Sequence, residues 1–195
     1  MSESGIDAIE PPAISIWESV KLHFDAILEN NLSLTTIDPL KVERVASIGC
    51  GTFFEASSLA NSFPNAEVVG IDREGGVLRQ ARKFPTFPKG VIMMELDLSK
   101  PDTQLQGKFD VLVLRNPDIH RIDNWRQIME KCRESMAKEG LIIVSNHTQE
   151  ENEQTLPLLD GLDIKVNKAN SSWPENSPMK STDNYVIFAQ KPKAA

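Results

Sequence analysis

Cysteine is scarce, with only Cys50 and Cys132 in a chain of 195 residues. Two cysteines make neither a disulfide framework nor a four-ligand zinc site, and they fit a reducing cytoplasm. Histidine is scarce as well: His23, His120 and His147 show no H-x-x-x-H spacing, so no metal is expected. No apolar run approaches the roughly 18 residues of a membrane helix, and the acidic opening Met-Ser-Glu-Ser-Gly-Ile-Asp lacks the apolar stretch of a secretory signal. A surplus of positive charge is also missing. Lys and Arg number 21 against 28 Asp and Glu, a formal net charge of −7 that disfavours nucleic acid as a partner. The chain has no Gly-Lys-Ser/Thr triplet for a P-loop and no G-x-S-x-G elbow for a serine nucleophile.

With 40% apolar and 25% charged residues, the composition is that of an ordinary globular protein. Residues 1–13, with Pro11 and Pro12, read as a loose leader. Ile14, Trp17, Val20, Phe24, Ile27 and Leu28 then recur at helical spacing, ahead of a turn at Asp38-Pro39. Residues 1–40 are thus expected to be a leader plus a helix, packed on the core or acting as a lid. Residues 41–195 are expected to form the rest of a single domain. Apolar, β-branched runs follow at 42–48, 67–71, 91–96, 109–114, 141–145, 162–166 and 185–189. Helical stretches lie at about 53–62, 75–84, 122–138 and 149–160. Runs such as Val-Leu-Val-Leu at 111–114 are apolar on both faces, as in strands covered from both sides. The expected fold is α/β: a doubly wound, mostly parallel seven-stranded sheet with helices on both faces. The segment from Asn170 to Asp183 is rich in Ser, Pro and Asn rather than helical, which predicts an antiparallel edge strand at the end of the chain.

The most informative residues are Ser47-Ile48-Gly49-Cys50-Gly51-Thr52-Phe53-Phe54-Glu55. A strand ends at Ile48, two glycines permit a tight bend, and Thr52 with Glu55 fits a capping box at the start of a helix. A dinucleotide fingerprint wants a third glycine where Phe54 stands. Twenty-one positions past Gly51, the second strand ends at Asp72, placed to accept hydrogen bonds from both hydroxyls of a ribose. Asp97 follows on the same rim. A glycine bend without phosphate machinery, beside two rim carboxylates, suits a nucleoside cofactor that carries no phosphate.

Here the chain resembles the class I S-adenosylmethionine-dependent methyltransferases over roughly residues 40–190. The resemblance is carried by Ser-Ile-Gly-Cys-Gly-Thr, Val-Val-Gly-Ile-Asp, Leu-Asp-Leu, Phe-Asp-Val-Leu-Val-Leu-Arg-Asn and Gly-Leu-Ile-Ile-Val-Ser, in that order. It implies S-adenosylmethionine as cofactor, with Gly49, Cys50 and Gly51 lining its methionine and ribose portion. Asp72 would hold the ribose hydroxyls, Asp97 and the Leu98 amide would meet the adenine, and Arg73 would flank the ring. Ser47 and Arg115 complete the implied cofactor set. Two positions depart from the family pattern: Ser47 stands where an acid is usual, and Phe53 where a third glycine is common. Phe53 is expected either to narrow the methionine pocket or to pack beneath the first helix of the sheet unit.

The fourth strand runs into Arg115-Asn116-Pro117-Asp118-Ile119-His120, the loop that faces the methyl group in this family. Asn116-Pro117 resembles the first half of the motif by which amino-group methyltransferases orient a nitrogen. Asp118 and His120 are the candidate bases. Asn116, Asp118 and His120 are thus the catalytic candidates, and His147 is a secondary one. Ile122, Trp125, Ile128 and Met129 read as the buried face of a helix. The expected activity is methyl transfer to a small-molecule acceptor, with a hint of N-methylation. The alternative is a non-catalytic S-adenosylmethionine-binding or regulatory protein of the same fold. A homodimer is a possible assembly, and no membrane association is expected.

Overall fold

The computed structural model describes residues 15–118, 122–160, 165–170, 177 and 182–190. Seven strands form one sheet: β1 (Arg44–Ile48), β2 (Glu67–Asp72), β3 (Ile92–Glu95), β4 (Phe109–Arg115), β5 (Met136–Asn146), β6 (Lys165–Asn170) and β7 (Tyr185–Gln190). Their order is β3-β2-β1-β4-β5-β7-β6. Strands β1 to β5 are parallel, and β7 runs antiparallel to both β5 and β6. The antiparallel strand therefore sits one place in from the edge, which β6 occupies. The chain reverses at β1, between β2 on one side and β4 on the other. In such sheets, ligands gather at that switch point, outside the carboxyl ends of the strands.

Five α-helices lie among the described residues: α1 (Ile16–Asn31), α2 (Ala56–Ser62), α3 (Gly75–Ala81), α4 (Ile122–Ser135) and α5 (Gln149–Asp160). Alternate strand residues feed two cores. Val45, Val111, Val113, Ile143 and Phe188 pack with Phe24 and Leu28 of α1 and Leu59 of α2. On the other face Ala46, Leu112, Leu114, Ile142 and Ile187 pack with Met129 and Cys132 of α4 and Leu159 of α5. Both faces of the central strands are thereby buried, which is why their sequences are apolar without alternation.

Helix α1 starts at Ser15, whose hydroxyl accepts the Glu18 amide hydrogen bond at 3.2 Å. It buries Val20, His23, Phe24, Ile27 and Leu28 and packs on the core. Trp17 reaches across to the rings of Phe54, Phe84 and Phe87, with centroids 4.7, 4.7 and 6.5 Å away. Several boundaries differ from the periodicity: α3 ends at Ala81 rather than 84, β5 starts at Met136 rather than 141, and β6 covers Lys165–Asn170 rather than 162–166. Helix α4 ends at Ser135 because Met136 already pairs with Phe109 in the sheet. Helix α2 begins at Ala56 rather than 53 because Gly51 and Phe53 are both left-handed, at φ 53°. Among the described residues no helix is long and apolar enough to cross a membrane.

Candidate functional site

The bend after β1 is fixed by its backbone. Gly49 and Gly51 adopt φ of 66° and 53°, values that L side chains rarely take. The Gly49 and Cys50 amides both donate to the Ile71 carbonyl, at 2.8 and 3.1 Å, which ties the bend to the end of β2. Asp72 turns onto the same bend. Its Oδ2 accepts from the Gly51 amide at 2.8 Å and its Oδ1 from the Glu74 amide at 2.8 Å. Both carboxylate oxygens are anchored by the main chain, with lone pairs left for a ligand.

The expected capping box is absent. Glu55 makes no cap at the start of α2. Its side chain turns inward, where Oε1 accepts from the Ser47 hydroxyl at 2.6 Å. Phe53 is fully buried. It lies under β2, where a Cβ built on Gly70 would come within 2.5 Å of the Phe53 ring. Of its two expected placements, Phe53 takes the one beneath the helix and does not line the cleft.

A cleft of about 220 Å³ opens along the carboxyl ends of β1, β2 and β3. One wall is Ile48, Gly49, Ile71, Asp72, Arg73 and Glu74; the floor is Leu96, Asp97, Leu98 and Ser99. Asn124, Trp125 and Ile128 of α4, with Asp118, close the other side. A Cβ on Gly49 would stand 3.5 Å from the tip of Trp125, so the indole lies over the bend. Trp125 and Ile128, expected as buried core, are half-buried: they pack against the core beneath α4 and also form cleft wall. The structure thus gathers Gly49, Asp72, Arg73, Asp97, Leu98 and Asp118 of the expected residues. Ser47, Cys50, Gly51, Arg115, Asn116 and His147 lie outside the cleft lining, and His120 lies outside the described residues.

Behind the bend is a buried charged cluster that sequence reasoning did not assemble. Arg115 donates from Nε and Nη2 to Asp183 Oδ2, at 2.8 and 2.6 Å, and its Nη1 stands 3.8 Å from Glu55 Oε2. Asp183 Oδ1 accepts from the Asn116 amide at 2.9 Å and from the Ser145 hydroxyl. The Asp183 carbonyl lies 3.4 Å from His23 Nε2. Asp183 is fully buried, with a left-handed φ of 51°. Glu55 Oε2 and Asn116 Oδ1 are buried and accept no hydrogen bond among the described residues.

The model of the methyltransferase domain family matches residues 40–188. The chain belongs to the class I S-adenosylmethionine-dependent methyltransferase family. S-adenosylmethionine is the cofactor that this membership brings. A malonyl-[acyl-carrier protein] O-methyltransferase of Legionella pneumophila is 29% identical over 100 residues, 51% of this chain and 34% of that protein. The chain therefore matches only about a third of that curated relative's length. Among solved structures, an S-adenosylmethionine-dependent O-methyltransferase of Thermotoga maritima superposes with a TM-score of 0.67 at 16% identity, over 93% of this chain and 72% of that one. The plantazolicin methyltransferase BpumL, solved in complex with SAH, gives 0.63 at 13% identity, over 91% and 85%. At these identities the superpositions establish the shared fold.

The cleft combines hydrogen-bond acceptors with apolar walls. Four carboxylates line it, those of Asp72, Glu74, Asp97 and Asp118, and Ile71, Leu96, Leu98 and Ile128 supply its apolar surface. The Asp97 carboxyl is held below its usual range chiefly by the Ser99 hydroxyl, so it stays an acceptor. Burial pulls the Arg115 guanidinium down, but Asp183 and Glu55 outweigh it and hold it above its ordinary value. Burial drives Cys50 far above the usual thiol range, with Glu55 and Asp72 adding to it, so Cys50 is no nucleophile. Cys132 is pushed up to about 12 by burial alone. Among the described residues no group of three or more His, Cys, Asp or Glu could hold a metal.

Proposed function

We propose that the cleft holds the adenosine part of S-adenosylmethionine and that the methyl group passes to a small-molecule acceptor at the loop leaving β4. The observation that carries this reading is Asp72. Its carboxylate faces the glycine bend and is locked there by two main-chain amides, so it meets a ribose already oriented. Asp97 and the Leu98 amide would take the adenine edge, with Arg73 beside the ring. Trp125 and Ile128 would exclude water along the opposite wall.

The bound cofactor supplies an electrophilic sulfonium methyl. The protein's part is to orient the acceptor, remove water and receive a proton where the acceptor carries one. Asp118, exposed at the cleft mouth, is the described group placed to take that proton; His120 is the second candidate. Asn116 is held by Asp183 through its amide, and its carboxamide oxygen is buried outside the cleft lining. In this reading it shapes the loop leaving β4 and reaches the acceptor only if that loop opens. Helix α1, packed on the core through Phe24 and Leu28, belongs to this same unit in our reading, as a cover and not a moving lid.

Calorimetric titration with S-adenosylmethionine, S-adenosylhomocysteine and NAD tests the reading. The two adenosyl ligands are expected to bind and NAD is not. Binding of NAD alone would discard it. Tight cofactor binding with no S-adenosylhomocysteine formed across a broad acceptor panel would favour a non-catalytic binding protein.

A further inference from the structure

We propose that Lys131 of helix α4 is a positioning residue of the cleft. It holds the turn after β3 so that Asp97 and the Leu98 amide select a 6-aminopurine. Lys131 enforces the adenine placement proposed above, and its role rests on that reading. Between β3 and β4 the chain runs from Leu96 to Lys108 without a helix or strand. The Leu96 amide still donates to the Asp72 carbonyl, at 2.8 Å. Beyond it, Asp97, Leu98 and Ser99 line the cleft from a stretch that belongs to no strand ladder.

Helix α4 supplies the missing support. Asn124, Ile128, Lys131 and Ser135 recur at steps of four, three and four, so they share one face of the helix. The first two line the cleft. The last two grip the connection. The Lys131 ammonium donates to the Leu98 carbonyl at 2.8 Å and to the Lys100 carbonyl, and the Ser135 hydroxyl donates to the Leu105 carbonyl at 3.4 Å. Two polar cavities, of about 160 and 320 Å³, flank the Lys131 side chain. Close packing therefore does not fix it, and its hydrogen bonds do. The ammonium takes these main-chain carbonyls in preference to the carboxylate of Glu134, which stands three residues on and lines both cavities.

The bond to Leu98 reaches Asp97 through one peptide group. A cation on the Leu98 carbonyl polarises the Leu98–Ser99 peptide, whose amide donates to Asp97 Oδ1 at 3.1 Å. The Ser99 hydroxyl adds a second bond to the same oxygen at 2.6 Å. Oδ1 is thus spent inside the turn. Oδ2 keeps its lone pairs for a ligand, with Lys100 Nζ 3.9 Å away. An acceptor carboxylate beside a donor amide, at a fixed spacing, matches the 6-amino group and N1 of adenine. Hypoxanthine offers the reverse pattern, a 6-oxo acceptor and an N1–H donor. Selection depends on that spacing, and the spacing on the ammonium.

The test is calorimetry on the intact chain, wild type and Lys131→Met, with S-adenosylhomocysteine and S-inosylhomocysteine as probes. Methionine keeps most of the apolar stem and removes the charge and the donors. Wild type is expected to prefer the adenosyl ligand, and the variant to lose about three- to tenfold of that preference, the size of one net hydrogen bond. The loss should fall on the adenosyl ligand and leave the inosyl ligand within about twofold. A general loosening of the fold would weaken both alike. No preference in wild type, or an unchanged ratio in the variant, therefore overturns the proposal. Should Lys131→Met fail to fold, nuclear magnetic resonance of the wild-type Lys131 ammonium decides. Its signal should show restricted rotation and should shift when S-adenosylhomocysteine is added; free rotation or no shift overturns the proposal. If neither ligand binds wild type, the cofactor reading fails by itself. A restricted ammonium then still supports the grip on the turn, and a freely rotating one overturns that too.

Discussion

Replacing Asp183 by alanine puts the buried cluster at the end of β4 to a quantitative test. The carboxylate is fully buried and accepts from Arg115, Asn116 and Ser145. Its removal strands a guanidinium whose remaining anionic partner among the described residues is Glu55, at 3.8 Å. Breaking a buried ion pair from one side costs about 3–5 kcal/mol. For a chain of this length each kcal/mol lowers Tm by roughly 2–4 °C, so the expected fall is roughly 6–20 °C. Glu55 should soften the loss by ionising and turning toward Arg115. Glu55→Gln should therefore cost more in the Asp183→Ala background than alone, with a coupling of about 1 kcal/mol or more. Melting curves of the four proteins at neutral pH give both numbers. A fall under about 3 °C, or strict additivity, would show that Arg115 is solvated and not caged, and the energetic account of the cluster would be wrong.

Asp72→Ala should weaken S-adenosylhomocysteine at least tenfold, about 1.4 kcal/mol, in a binding titration; an unchanged affinity removes Asp72 from the site. Gly70→Ala drives a methyl to within 2.5 Å of the Phe53 ring. It should cost about 1–3 kcal/mol by denaturant melts, and less in a Phe53→Ala background where the ring is gone. A penalty independent of residue 53 would mean the strand backbone, not the ring, is the obstacle. Because the folded state raises the Glu55 pKa, folding takes up a proton above the ordinary value of 4.5. The stability of wild type relative to Glu55→Gln should thus fall as pH rises from there toward neutrality. A gap that stays flat or widens with pH contradicts the assignment.

Much of this architecture is legible because the residues that build it act locally. Apolar β-branched runs at 111–114 and 141–144 announce doubly covered strands, and Gly49, Gly51 and Asp72 announce the bend with its carboxylate. Two of the misses come from competition by partners on other elements of the fold. Thr-x-x-Glu occurs at 52–55 and again at 148–151. The second is a true capping box: Thr148 Oγ1 accepts from the Glu151 amide at 3.1 Å and Glu151 Oε2 from the Thr148 amide at 3.0 Å. The first fails because Ser47 and Arg115, on two neighbouring strands, draw Glu55 inward. No local signal foretells that, though an acid missing at 47 and another present at 55 was a clue. Asp183 was hidden by standing 68 residues from Arg115. Trp125 and Ile128 show helical spacing, but spacing alone cannot separate a core-facing stripe from one that borders a cavity.

Trp125 spans the gap between helix α4 and the glycine bend, its ring tip 3.5 Å from where a Cβ on Gly49 would stand. Helix α4 therefore carries one side of the cleft, through Asn124, Trp125 and Ile128. The indole at the cleft wall is an optical reporter of whatever enters there. Its emission offers a direct way to watch the cleft fill.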